Sequence, residues 1–276
     1  MTVEVKPEEQ ILPEPILRGI LRTGLVVPAI KGHGKSEAGK VITSEIIRNQ
    51  PLKIQCKIFD VASNLRWSFL EGIKCQEITE DTRFFYNGND HILFDIAMVE
   101  DDDKLSFMSK VVRTDYLKQR KKKEIGGGNF DEWILYLVEE SQLLIGRYSL
   151  MKRIGRDVLG TLSIGRNFNM SFVLIGQRLA DMSASAVEKC DGYLLGKILG
   201  DNDIAKLKRI VGRKSDIMED VKKLELGKGH FIYFDGASAY DFNCPPYKNA
   251  GKPLEMWEPN LKTIPIWNYR EGRKLW

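Results

Sequence analysis

Ala29-Ile30-Lys31-Gly32-His33-Gly34-Lys35-Ser36 is the stretch on which the reading of this chain turns. It follows the pattern of a small residue, four variable residues, then Gly-Lys-Ser, with Ala29 where the first glycine is usual. That spacing has a mechanical reason. The loop must curl so that successive backbone N–H groups face one anion, and Gly32 and Gly34 tolerate the positive φ the curl needs. Lys35 is expected to reach the β- and γ-phosphates of a nucleotide, and Ser36 to offer its hydroxyl to Mg²⁺. The residues from Lys35 onward read as a helix whose positive end points at the same anion. The expected nucleotide contacts are therefore Ala29, Lys31, Gly32, His33, Gly34, Lys35, Ser36 and Glu37, with ATP and Mg²⁺ as the ligands.

Outward from the loop, the chain alternates. Leu25 to Ile30 is a short apolar run of strand character, and residues 35–48 place Ala38, Val41, Ile42 and Ile46 on one helical face. Strands are expected at 53–61, 91–98, 133–138, 171–176, 193–198 and 230–234. Helices are expected from Asp101 to near Lys123, over 145–164, and over 183–190 and 201–211. Asp101, Asp102 and Asp103 begin the first of these and lysines end it, which suits the helix dipole. Trp133 to Val138 is apolar throughout, as in a strand buried on both faces. Strand–helix alternation of this kind predicts an α/β fold of the P-loop NTPase type, with a mostly parallel central sheet flanked by helices. Residues 1–20, rich in Glu and Pro, read as a flexible arm, 21–240 as the ATPase domain, and 241–276 as a C-terminal extension that wraps the core or meets a neighbour.

Bulk properties narrow the class. The longest apolar runs, such as Ile134 to Val138, fall far short of the roughly 18–20 residues a membrane span needs. The first thirteen residues carry no signal-peptide core, so a soluble, cytoplasmic protein is expected. The four cysteines form no C-x-x-C pair and the three histidines do not cluster near them, which argues against zinc. A net charge of +4 permits contact with nucleic acid without demanding it.

Two further elements add chemistry to the loop. The apolar strand ending in Glu139-Glu140-Ser141-Gln142 has the form of a Walker B element. One carboxylate, Glu139, is assigned to the metal, and Glu140 to the attacking water. A Glu at the metal position extends outward by about one C–C bond, ~1.5 Å, relative to Asp, so a water-mediated contact is expected. After Phe172 to Ile175 come Gly176, Gln177 and Arg178. Sites in open α/β sheets form at strand carboxyl ends, so Gln177 is assigned as a γ-phosphate sensor. Arg166, just before that strand, is the first candidate for an arginine given to a neighbouring subunit's site, in competition with Arg147, Arg153, Arg156 and Arg178. The basic run Lys118-Gln-Arg-Lys-Lys-Lys123 has two readings, a DNA-phosphate contact or a solvated helix end that complements the dipole. Arg209, Arg213 and Lys214 form a weaker basic group.

Taken together, the loop at 29–36, the strand end Leu137 to Gln142, and the block Gly165-Arg166-Asn-Phe…Leu174-Ile-Gly-Gln177-Arg178 resemble the HerA–FtsK superfamily of DNA-pumping ATPases, over roughly residues 22–236. Ala29, Glu139, Asn169 (where Gly is usual) and Leu179 (where Pro often stands) depart from its pattern. The resemblance implies a homo-oligomer, a hexameric ring, that drives double-stranded DNA through its pore. Genome packaging, with a viral origin, a host-cytoplasmic location and a capsid or membrane-associated partner, is the expectation that the short chain suggests. Two other functions remain open: a nucleotide-switch regulatory or partitioning ATPase with slow turnover, and a DNA-binding protein without catalysis.

Overall fold

The computed structural model describes residues 14–48, 53–63, 73–79, 83–84, 91–126, 132–146, 155–212, 215–244, 255–256 and 267–268. Its strands are β1 (Leu25–Pro28), β2 (Lys53–Asp60), β3 (Lys74–Glu77), β4 (Arg83–Phe84), β5 (Ile92–Asp95), β6 (Glu132–Val138), β7 (Met170–Gly176), β8 (Gly192–Leu195), β9 (His230–Phe234), β10 (Ala239–Asn243), β11 (Glu255–Met256) and β12 (Trp267–Asn268). The helices are α1 (Glu14–Thr23), α2 (Lys35–Arg48), α3 (Asp101–Ile125), α4 (Ser141–Leu144), α5 (Gly155–Ile164), α6 (Ala184–Val187), α7 (Asp201–Val211) and α8 (Ser215–Lys223).

Ten strands form one sheet in the order β10-β9-β8-β1-β7-β6-β2-β5-β3-β11. Every pairing from β8 to β11 is parallel; β9 pairs antiparallel with both β8 and β10, so β9 alone runs against the rest of this sheet. The predicted α/β class with a mostly parallel sheet is thus the observed one. β1 lies at the centre, between β7 and β8. The chain leaves it, crosses two strand positions to build β2, and later returns to fill the gap with β6 and β7.

Period-2 alternation sorts the core into two layers. Leu25, Val27, Leu135, Leu137, Val173 and Ile175 face the side covered by α1 and α2. Val26, Tyr136, Phe172 and Leu174 face the other side, where α3 supplies Leu105, Met108, Val111 and Val112, and α5, α7 and α8 supply Val158, Leu207 and Val221. Among the described residues, no helix is long and apolar enough to cross a membrane.

Several element expectations need correction. The arm predicted over 1–20 is helical from Glu14. Ile16 and Ile20 are buried against the sheet, and the Ser171 hydroxyl donates to the Ile20 carbonyl. Pro15, which suggested an arm, sits in the first helical turn, where a missing N–H costs nothing. Residues 1–13 lie outside the described part. Of the helix expected over 145–164, Gly155–Ile164 is helical, whereas Gly146 instead bridges to Met182, and residues 147–154 lie outside the described part. The 183–190 helix is one turn, α6, and the strand at 91–98 ends at Asp95. The expected boundary at 240 falls inside β10, which hairpins onto β9 with only Phe242 of its side chains buried. Beyond it, β11 pairs with β3 and β12 with β4.

Candidate nucleotide site

The loop after β1 is stitched to the strands on both sides. Ala29 N–H donates to the Gly176 carbonyl at 3.2 Å, Ile30 N–H to the Lys197 carbonyl at 3.0 Å, and Gly196 N–H to the Pro28 carbonyl at 3.0 Å. Gly32 and Gly34 have φ of +82° and +95°, and a Cβ on either would meet nothing within 4 Å. Backbone conformation, not crowding, therefore requires glycine there, and the space above both residues is open to an anion. Ala29 is fully buried. Its methyl is accommodated because residue 196 is also glycine: a Cβ there would come within 2.4 Å of the Ala29 Cβ and of His33 Cδ2.

Loop side chains divide by direction. Lys35 begins α2 and is only 7% exposed. Burial lowers its pKa, and the charges of Glu140 and Glu139 oppose that shift. Ser36 Oγ donates to Glu139 Oε1 at 2.5 Å, which joins the loop to the end of β6. Lys31 is exposed, and Glu37 pairs with Lys40. His33 turns away from the loop mouth. Its ring is fully buried, its Nε2 donates to the His230 carbonyl at 2.7 Å, and it packs edge-on against Phe231 at 5.0 Å. Burial lowers its pKa and keeps it neutral, so its side chain braces the loop against β9.

Glu139 and Glu140 differ sharply. Glu139 is fully buried, and its Oε2 has no hydrogen-bond partner. Burial raises its pKa to about 7, against the lowering effect of the Ser36 hydrogen bond, with Glu140 and Asp60 adding to the rise. A buried carboxylate with one bare oxygen, tied to the P-loop hydroxyl, fits a divalent cation. Mg²⁺ commonly takes one or two protein ligands and completes its shell with phosphate and water. Glu140 has φ +47° and ψ +48°, a left-handed conformation that costs a non-glycine residue roughly 1–2 kcal/mol. Its carboxylate lies between two amides: Gln177 Nε2 donates to Oε1 at 2.7 Å and Gln142 Nε2 to Oε2 at 2.5 Å.

Gln142 thus joins the cluster although the sequence reading gave it no role; its place in Glu139-Glu-Ser-Gln142 was the signal. Asp60, buried at the end of β2, is a second omission, and it acts on Glu139 through charge. The Gln177-Arg178 pair splits. Gln177 faces Glu140, while Arg178 lies 3.7 Å from both Asp181 and Asp203, beside α7.

Arg166 is not brought to this cluster. It lies exposed in a 3-10 turn, Gly165–Phe168, at the amino end of β7, whereas Gly176 and Gln177 stand at the carboxyl end. Seven residues of strand separate those ends by roughly 20 Å. Asn169 closes the turn at φ +53°. Its departure from the family pattern is therefore conservative, since asparagine is the usual substitute for glycine in the left-handed region. In the basic run, Arg120 pairs with Glu124, Lys122 with Glu132, and Lys123 reaches the Asn167 carbonyl. Arg147 and Arg153 lie outside the described part, as do Arg213 and Lys214, the larger share of the second basic group.

No family model matches this sequence, and no curated protein matches it. Solved structures do. The genome packaging NTPase B204 from Sulfolobus turreted icosahedral virus 2, in complex with AMPPCP, aligns at 15% identity and a TM-score of 0.57, covering 82% of this chain and 99% of that one. The pCW3 conjugation coupling protein TcpA with ATPγS aligns at 12% and 0.57, covering 83% of this chain and 62% of that one. EssC (ATPases 2 and 3) from Geobacillus thermodenitrificans aligns at 10% and 0.55, covering 86% and 42%. At such identities the likeness is one of architecture, and it is the architecture the motifs called for: this chain has the P-loop ATPase fold, shared with a viral genome-packaging NTPase and a conjugation coupling protein.

Proposed function

We propose that this protein hydrolyses ATP and uses the energy to move double-stranded DNA through a ring of its own copies, with packaging of a viral genome as the leading task. The observation that carries the reading is the 2.5 Å contact between Ser36 and Glu139, with Glu140 and its two amides alongside. Nucleotide binding alone needs the loop; a bare buried carboxylate beside a second, oriented one is the equipment of hydrolysis.

Each group has one task. The N–H groups of the loop and the Lys35 ammonium hold the phosphates. Ser36 and Glu139 would hold Mg²⁺, which would supply positive charge at the phosphates. Glu140 orients the attacking water and accepts its proton, and Gln177 links that carboxylate to the end of β7. Arg166 serves a neighbouring copy's site, since its own lies at the other end of the strand. Likeness to a packaging NTPase and a conjugation coupling protein supports DNA as the cargo.

The test is an ATPase assay with and without duplex DNA, alongside mass measurement of the assembly. Hydrolysis stimulated by DNA in a ring-sized oligomer is expected. Monomers whose hydrolysis ignores DNA would sink the motor reading, and stable ATP binding without turnover would favour the nucleotide switch.

A further inference from the structure

We infer that Lys123, in the basic end of α3, is a positioning residue for Arg166 and not a DNA contact. The inference rests on Arg166 acting in a neighbouring site.

Arg166 is followed directly by Asn167 and Phe168, and α3 grips both. Lys123 Nζ donates to the Asn167 carbonyl at 2.8 Å and lies 5.2 Å from the centre of the Phe168 ring. Tyr116, seven residues earlier and so two turns up the same helical face, packs edge-on against that ring at 5.0 Å and 73°. The turn is also fixed from the sheet. Asn169 N–H donates to the Arg166 carbonyl at 3.3 Å, and the Asn169 carbonyl accepts from Ile134 N–H at 2.8 Å. The backbone around Arg166 is thus held from two sides while its side chain projects into solvent.

An arginine that must meet a phosphate on another molecule gains most from such a platform, because less of its freedom is lost on docking. Lys123 meanwhile has its ammonium directed to a carbonyl and an aromatic face of its own chain. A lysine committed in this way is poorly placed to follow a DNA strand.

The experiment uses the full chain in its assembled form. Lys123→Met, which keeps the aliphatic stem, is expected to lower kcat by about ten- to a hundredfold, the scale of an ångström-level misplacement. KM, ATP binding and thermal melting should hold, and Lys123→Arg should recover most of the rate. In an Arg166→Lys background, Lys123→Met should cost little more. The proposal is overturned if kcat is unchanged, if the loss is as large in the Arg166→Lys background, or if Lys123→Met instead reduces the salt dependence of DNA binding by about one phosphate contact. Arg166→Ala separates the layers. If that variant hydrolyses ATP at full rate, the neighbouring-site reading falls and Lys123 with it. If it is inactive while Lys123→Met is not, only the Lys123 assignment falls.

Discussion

The two ends of the parallel sheet are built on opposite plans. At the carboxyl end, Ser36, Glu139, Glu140, Gln142 and Gln177 are linked to one another through hydrogen bonds and adjacency, and both carboxylates are buried. At the amino end, Arg166 stands exposed on a turn whose backbone is pinned by α3 and β6. The first end ties its side chains to one another; the second fixes the backbone and leaves the side chain exposed. The proposed reading, in which Arg166 serves a second molecule's site, rests on this contrast.

Four variants and one titration break or sharpen this contrast. Arg166→Ala should give the largest loss, on the order of a thousandfold or more in DNA-stimulated hydrolysis, with ATP binding spared. Mixing it with Lys35→Ala subunits should restore some activity, since one supplies the loop and the other the arginine. No rescue at any ratio would place the arginine's action within its own chain or nowhere. Glu140→Gln should cost about a hundred- to ten-thousandfold in the rate while the nucleotide still binds; an unchanged rate would remove Glu140 from the mechanism.

Titration probes the buried end alone. Glu139, with its pKa raised to about 7, must lose its proton to hold a divalent cation. Mg²⁺ affinity should therefore rise up to about tenfold per pH unit below 7 and level off above it. The same shift works against folding of the metal-free protein. Between the ordinary 4.5 and about 7, the folded chain holds a proton that the unfolded chain releases, so this group's contribution falls as pH rises through that window. A flat Mg²⁺ isotherm series from pH 6 to 8 would contradict the burial argument. Gln142→Leu is the mildest change. Gln177 still holds the other carboxylate oxygen, so a loss in kcat of only about three- to tenfold is expected, comparable to the net worth of one ordinary hydrogen bond; a loss equal to that of Glu140→Gln would make Gln142 indispensable.

Legibility in the sequence followed the same division. α2 runs over the predicted residues because the loop chemistry fixes its start and an apolar face carries it onward. Glu139, Glu140 and Gln177 sit where strand-end reasoning placed them. What the sequence hid depends on partners distant along the chain. β3, Lys-Cys-Gln-Glu, has too little apolar content to be read as a strand and exists through its pairing with β5. β10 buries a single side chain. His33 sits in a phosphate-loop motif, yet its ring belongs to the packing of β9, which begins 197 residues later. Arg166 was found by motif, but its separation from the loop needed the direction of β7.

One feature of the interior fixes how α3 is seated on the sheet. Beneath the sheet, Lys57 of β2 donates to Asp115 of α3 at 2.6 Å, and Tyr136 of β6 donates to the same oxygen at 2.6 Å, with all three side chains out of reach of solvent. Burial pulls the Lys57 pKa down to about 8, against the pull of Asp115. Breaking such a pair by removing one partner typically costs about 3–5 kcal/mol. α3 is 25 residues long, roughly 37 Å, and this contact lies near its middle. Sliding the helix by a turn would separate the buried Asp115 from both of its donors, which opposes gradual slippage. Asp115 thus pins α3 in one register on β2 and β6, eight residues before Lys123 on the same helix.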